Sequence, residues 1–379
     1  MTDKGDVRDL SAASQLPPAA RNLAFLKDST GGVCVTRAGG GTSGSGGFAP
    51  AISPVSDVIL MLPALVVVVG GLVGVWLVSF LVETLRSVPR TPEKLRWAPD
   101  IPIAYIQVDG LRLRYIKTGR GPTLVLLHTL RTQLDLFQKA VPDLAKHFTV
   151  YAVDYPGHGY SDIPTARYDA AFFTRSVEGF LDALDLRDAI LAGVSIGGPI
   201  ALIAAARRNP RVARVVAINP YDYARGRGIA RSSLAGWIAM VTSSIPAIGE
   251  TYMRLSNFMI VKTVLLGSVA SPGNFPLALL KEMYQVGNRP RHYRAFVNLL
   301  HHAASWEAAT AIYQRITVPV LLVWGERDWA RPSERELDRR LLPDAEMVTV
   351  NRGGHFLPLD CPLELNELII RFAGAERRR

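Results

Sequence analysis

The sequence predicts an α/β protein: a mostly parallel sheet of eight strands covered by helices, carrying an inserted helical cap and preceded by one membrane-length helix. Three observations predict it. Short apolar runs alternate with helical patterns from residue 103 onward. That rhythm breaks between Tyr221 and Arg315, where helical patches occur without a clear strand. An uncharged run from Val58 to Val82 stands ahead of both. Composition fits this class. With 49% hydrophobic residues and 20% charged, the chain is not disordered overall, and its two cysteines exclude a disulfide framework or a Cys-based zinc ribbon. The 43 Lys+Arg against 33 Asp+Glu leave a charge of +10, which suggests nucleic acid, an anionic membrane surface or acidic substrates.

Residues 1–56 hold a Gly/Ser-rich stretch, Gly39 to Gly47, and bury too little apolar surface to order themselves, so they are expected to be disordered. Residues 57–83 are expected to form a transmembrane helix. At 1.5 Å per residue the uncharged run extends about 37 Å, enough to cross a hydrocarbon core of roughly 30 Å. Lys and Arg are sparse before it after Arg37. Arg86, Arg90, Lys94 and Arg96 follow it, so the positive-inside rule puts the C-terminal side in the cytoplasm, on a single-pass chain. Residues 84–102 read as a Pro-rich linker.

The core is expected over 103–220 and 316–379, with the cap at 221–315. Ile103–Val108 and Leu111–Ile116 flank Asp109-Gly110 and read as a hairpin. The further strand-like runs are Thr123–His128, Val150–Val153, Ala189–Ala192, Val212–Ile218, Val318–Trp324 and Met347–Val350. Helical patterns lie between them.

The chemistry falls on the loops after those strands. Gly193-Val194-Ser195-Ile196-Gly197 sits between a strand and an Ala-rich helix. There the glycines permit a sharp turn that projects the Ser195 hydroxyl at a helix N-terminus. The bland alternative is a serine that caps the helix. A nucleophilic serine needs a base, and the base needs an acid to orient it. His355 follows the last strand and Asp328 the one before, in the chain order Ser195, Asp328, His355. Glu326 and Asp222 are rival acids. Trp329, beside Asp328, is placed on the substrate side. No His/Cys/Asp/Glu spacing suits a metal, no phosphate-binding glycine loop follows a strand, and no aromatic-and-basic module suits nucleic acid. Neither a cofactor nor a nucleic-acid partner is expected, and the oligomeric state is left open.

On these motifs, residues of about 103–375 resemble the α/β-hydrolase superfamily, in its capped branch that includes haloperoxidase-like esterases and epoxide-hydrolase-like proteins. Asp154-Tyr155-Pro156-Gly157-His158-Gly159-Tyr160-Ser161 resembles that branch's turn after its fourth strand, with Asp154 and Ser161 bracing the loop. The resemblance implies an oxyanion hole from the Ile196 and Leu130 amides. It also implies a glycine where this chain has Thr129. A threonine does not take positive φ cheaply, so either the loop differs or that glycine is not left-handed. Arg131 and Gln133 follow, and Arg131 is assigned to substrate binding against the alternative of a solvated arginine. Epoxide-hydrolase and dehalogenase relatives carry a carboxylate where this chain has Ser195. Serine implies an acyl-enzyme, hence a membrane-anchored serine hydrolase acting on a hydrophobic carboxylic ester or related acyl compound. The lid is expected to set the acyl pocket, with Arg225, Arg227 and Arg231 placed to meet anionic headgroups. Acyl transfer, cofactor-free peroxidation, C–C hydrolysis and silent ligand binding are the rival readings.

Overall fold

The computed structural model describes residues 54–374, together with Leu26–Lys27 and Val33–Cys34; side chains are described from Met61 to Gly374. The chain divides into two compact units, Met1–Leu65 and Val66–Arg379. In the first, Leu26–Lys27 pairs antiparallel with Val33–Cys34. The rest of the segment expected to be disordered, up to residue 53, lies outside the described residues.

A helix, α1, covers Pro54–Leu85. Its Met61–Leu85 portion has a mean hydropathy of 2.7 and is almost wholly unburied. Side chains all around it are apolar and exposed, including Val67, Leu72, Val75 and Leu81. A helix of a soluble core would bury one such stripe, and a surface helix would carry a polar face. The Pro-rich stretch after it does not hang free. Leu95 is buried, and the Trp97 indole donates to Asp135 at 2.7 Å.

The sheet has eight strands. They are β1 (Ile103–Val108), β2 (Leu111–Thr118), β3 (Thr123–Leu127), β4 (Thr149–Val153), β5 (Ala189–Val194), β6 (Val212–Ile218), β7 (Val320–Gly325) and β8 (Glu346–Val350). Their spatial order is β8-β7-β6-β5-β3-β4-β2-β1. The β1–β2 and β2–β4 pairings are antiparallel and the others parallel. A central parallel strand is covered on both faces, which is why β5 reads as an unbroken apolar run. Ala189 and Leu191 enter one core, and Ile190, Ala192 and Val194 the other. Helices α2 (Ala170–Ala183) and α3 (Gly197–Ala206) cover the sheet, with Asp169 capping α2 through the Phe172 amide at 2.9 Å.

The interval without strands is helical. It holds α4 (Leu234–Ser243), α5 (Ile248–Leu255), α6 (Phe258–Leu266), α7 (Leu277–Val286), α8 (His292–His301) and α9 (Ala304–Ala309). Along α4, Leu234, Trp237 and Val241 are exposed at spacings of three and four, which makes an outward apolar stripe, and Ile245 of the following turn and Ile248 of α5 are exposed beyond it. Arg254 of α5 is only 2% exposed. It contacts Glu250 at 2.6 Å and Glu83 of α1 at 3.2 Å, and lies over the Phe80 ring of α1 at 3.9 Å. Arg86 donates to the Ser256 carbonyl at 2.8 Å. The end of α1 is thereby clamped to the cap. The arginines expected to meet headgroups divide. Arg225 and Arg227 are exposed, whereas Arg231 is committed to Glu334 through two bonds of 2.7 and 2.9 Å.

Candidate active site

Ser195 follows β5 with φ of 56°, in the left-handed region. A bulky residue pays for that conformation, and its occurrence here follows from the crowded turn. A Cβ on Gly193 would stand 2.0 Å from the Gly197 carbonyl oxygen, and one on Gly197 2.4 Å from that of Leu127. Both glycines are therefore steric necessities of the elbow. The Ser195 amide donates to Ile218 at 2.9 Å, and its carbonyl accepts from Gly198 and Tyr221. The backbone is fixed and the hydroxyl is left over: Ser195 Oγ is buried without a hydrogen-bond partner among the described residues.

His355 is also buried, and its Nδ1 lies 2.5 Å from Asp328 Oδ1. The other Asp328 oxygen accepts from the Ala330 amide at 2.8 Å, so the carboxylate is held at both ends. An imidazole donating through Nδ1 leaves Nε2 as an acceptor, and His355 Nε2 has no hydrogen-bond partner among the described residues. Glu326 is exposed and accepts from the Arg352 amide. Asp222 accepts from the Tyr313 hydroxyl at 2.7 Å, and burial pushes its carboxyl up to about 6. Among the three acids, only Asp328 meets the histidine.

Ile196 and Leu130 are both buried, and neither amide donates to a backbone carbonyl among the described residues. Both lie on loops after neighbouring parallel strands, β5 and β3. Thr129 is not among the residues with positive φ; Arg131, two residues on, is, at 55°. The threonine thus fits because the strained position of this loop is Arg131. The Thr129 carbonyl accepts from His128 Nδ1 at 2.7 Å and from the Thr132 hydroxyl at 2.9 Å, which pins the turn. His128 Nε2 accepts from the Tyr155 amide, and burial holds its pKa well below the usual histidine range. His158 is buried too, with burial pulling it to about 4, and it bonds only its own loop. Asp154 accepts from the Leu134 and Tyr160 amides at 2.7 and 2.9 Å, and Ser161 Oγ donates to the Asp154 carbonyl, so this turn is a brace.

Two residues, Asn219 and Asp360, join the site without a signal read from the sequence, and Trp329, placed on the substrate side, takes a definite position in it. Asn219 follows β6 directly, with φ of 46°, and is fully buried. Its amide nitrogen donates to the Gly354 and His355 carbonyls at 2.9 and 3.0 Å, while its oxygen accepts from Gly325 at 2.7 Å. It ties the histidine's own backbone to β6 and β7. The available signal is an Asn at a strand's end, since Asn tolerates left-handed φ. Asp360 accepts from the Gly354 amide and from Ala270 of the cap. Trp329 stacks on His355 with ring centroids 3.7 Å apart and planes 12° from parallel, and donates to the Gly267 carbonyl of the cap at 3.0 Å.

A narrow apolar cavity abuts this centre, bounded by the oxyanion loop, Trp329, Phe356 and cap residues such as Met253, Val261 and Leu265. Ser195 and His355 do not line it themselves; their neighbours do. Arg131 is the one charged lining residue. The arrangement suits attack by a serine on an electrophile bearing an apolar group.

A family model described as the alpha/beta hydrolase fold matches residues 122–244. Haloalkane dehalogenase 2 of Mycobacterium tuberculosis is 27% identical over 273 residues, spanning 69% of this chain and 92% of its own. The crystal structure of Cfl2 from Burkholderia cenocepacia superposes with a TM-score of 0.66 at 22% identity, over 75% of this chain and 99% of that one. The epoxide hydrolase CorEH superposes with a TM-score of 0.64 at 20% identity, over 73% of this chain and all of that one. At such identities the structural likeness speaks to the fold. Together with the strand order and the elbow, these findings show that the chain has the α/β-hydrolase fold, with residues 122–244 matching that family's model.

Proposed function

We propose that this chain is a membrane-anchored serine hydrolase that cleaves a hydrophobic carboxylic ester or related acyl compound through an acyl-enzyme. The observation that carries the reading is Ser195 at the strained elbow, with the His355–Asp328 pair on the adjoining loops. Ser195 Oγ attacks the acyl carbon as His355 Nε2 takes its proton. Asp328 fixes the imidazole and stabilises its charged form. The Ile196 and Leu130 amides receive the developing oxyanion, and the leaving alcohol takes the proton back. Water then attacks the acyl-enzyme, with His355 as base.

Serine in place of the carboxylate of dehalogenase and epoxide-hydrolase relatives favours acyl over alkyl transfer. Membrane attachment is supported by α1, apolar all around, and by the outward stripe from Leu234 to Val241, whose Trp237 suits an interface. The flanking basic residues favour a cytoplasmic catalytic domain.

The test is fluorophosphonate labelling. Wild type labels and Ser195→Ala does not; folded wild type that resists the probe overturns the reading. On p-nitrophenyl esters of rising chain length, kcat/KM is expected to climb into the medium-chain range, and a preference for acetate removes the apolar-pocket argument. A reporter fused after Arg379 is expected to behave as cytoplasmic.

A further inference from the structure

Arg131 is a half-buried cation that makes no ion pair among the described residues. Its backbone sits at φ of 55°, a conformation that costs on the order of 1 kcal/mol for a side chain with Cβ. Its side chain lines an otherwise apolar cavity, with the guanidinium over the Phe296 ring, 5.1 Å from the centroid, and one terminal nitrogen beside Gly287 at the C-terminal end of α7. The groups that act on its charge are another cation, Arg86, and the phenols of Tyr252 and Tyr284; no carboxylate is among them. Burial and Arg86 pull its pKa down to about 10, so it remains charged at neutral pH. The nearby His292 is held neutral by burial and by Arg131 itself. A half-buried cation beside an apolar wall gains from an anionic partner that reaches it.

The cation's position decides what partner fits. Arg131 follows Leu130, the proposed oxyanion donor, and Phe296 and Met253 line the same cavity as both. A ligand that fills the cavity with an apolar chain brings its polar group to the guanidinium. A planar guanidinium pairs with an oxyacid through two parallel bonds.

We propose that Arg131 forms an anion subsite within the apolar cavity, so that the substrate is an amphiphile bearing a carboxylate or phosphate group besides its scissile acyl bond. This rests on the hydrolase reading for the word substrate, but the binding claim stands apart from it. The test therefore measures binding without turnover. Decanoate, decyl phosphate and decanol are titrated into the full chain held in neutral phosphatidylcholine nanodiscs, as wild type, Ser195→Ala, Arg131→Gln and Arg131→Lys. Wild type and Ser195→Ala are expected to bind one or both anions at least tenfold more tightly than decanol. Arg131→Gln is expected to lose that preference while keeping decanol affinity, and Arg131→Lys to recover part of it. Tighter decanoate points to a carboxylate and tighter decyl phosphate to a phosphate ester. Equal binding of anion and alcohol by wild type, or an unchanged preference in a folded Arg131→Gln, overturns the proposal. Absence of fluorophosphonate labelling with the anion preference intact would remove the hydrolase reading and leave the subsite standing.

Discussion

Two arginines of the β2–β4 end of the sheet and its neighbouring loop are set in opposite ways. Arg114 of β2 is fully buried and lies 2.5 Å from Asp135 and 2.7 Å from Asp154, with its guanidinium over the Tyr160 ring at 4.8 Å. Those acids are themselves held: Asp135 by Gln133 and Trp97, Asp154 by backbone amides. Arg131 has one aromatic ring and no acid. The difference teaches how to sort charge: Arg114, enclosed with two acids, serves the scaffold, whereas Arg131, half-buried and without an acid among the described residues, leaves room for the anion proposed above.

Substitutions should separate these roles, and Arg114 should give the largest effect. Arg114→Met leaves Asp135 and Asp154 buried without their counter-ion, which costs about 3–5 kcal/mol in stability, read as a fall in the denaturation midpoint. Asp222 tests an intermediate case, because one oxygen has Tyr313 and the other nothing. Burial raises its folded pKa to about 6, above the unfolded value of 3.8. The folded state therefore holds this proton more tightly. Its contribution is full below pH 4 and is lost as pH rises through 6, a change on the order of 2–3 kcal/mol. In chemical denaturation between pH 4 and 7.5, Asp222→Asn should flatten that part of the slope; an identical slope would disprove the assignment.

Asn219 is a neutral group with every bond satisfied. Asn219→Ala orphans two carbonyls and one amide, and should cost about 2 kcal/mol in stability. Because the orphaned groups carry His355, kcat should fall more than KM changes, and Asn219→Asp, which loses only the donors, should not restore it. Arg131→Gln completes the series. Its stability should change by less than about 1 kcal/mol, and toward the more stable side, since an uncompensated charge is removed.

The fold was legible because its central strands are buried and its punctuation is local. The apolar runs and the glycines around Ser195 announce themselves within a few residues, and Ser195, Asp328 and His355 lie just beyond such runs. Asn219 was not legible, because its bonds join residues far apart in sequence, at the ends of β6 and β7 and on the His355 loop. The Thr129 departure looked like a threat to the oxyanion loop, but the positive φ is taken by Arg131. Whether Arg131 was solvated or enclosed also turned on the cap, whose helices show the sequence their periodicity and not their placement.

The Arg254 clamp gives the cap a mechanical consequence. Tyr252, Met253 and Ser256, which flank Arg254, line the cavity, and Arg254 is held by Glu83 and Phe80 of α1. An apolar helix longer than the local bilayer answers by tilting. If α1 spans a membrane, as proposed, a thinner bilayer levers Glu83 and Phe80 sideways and moves that wall with them. Membrane thickness then becomes a dial on which chain lengths fit.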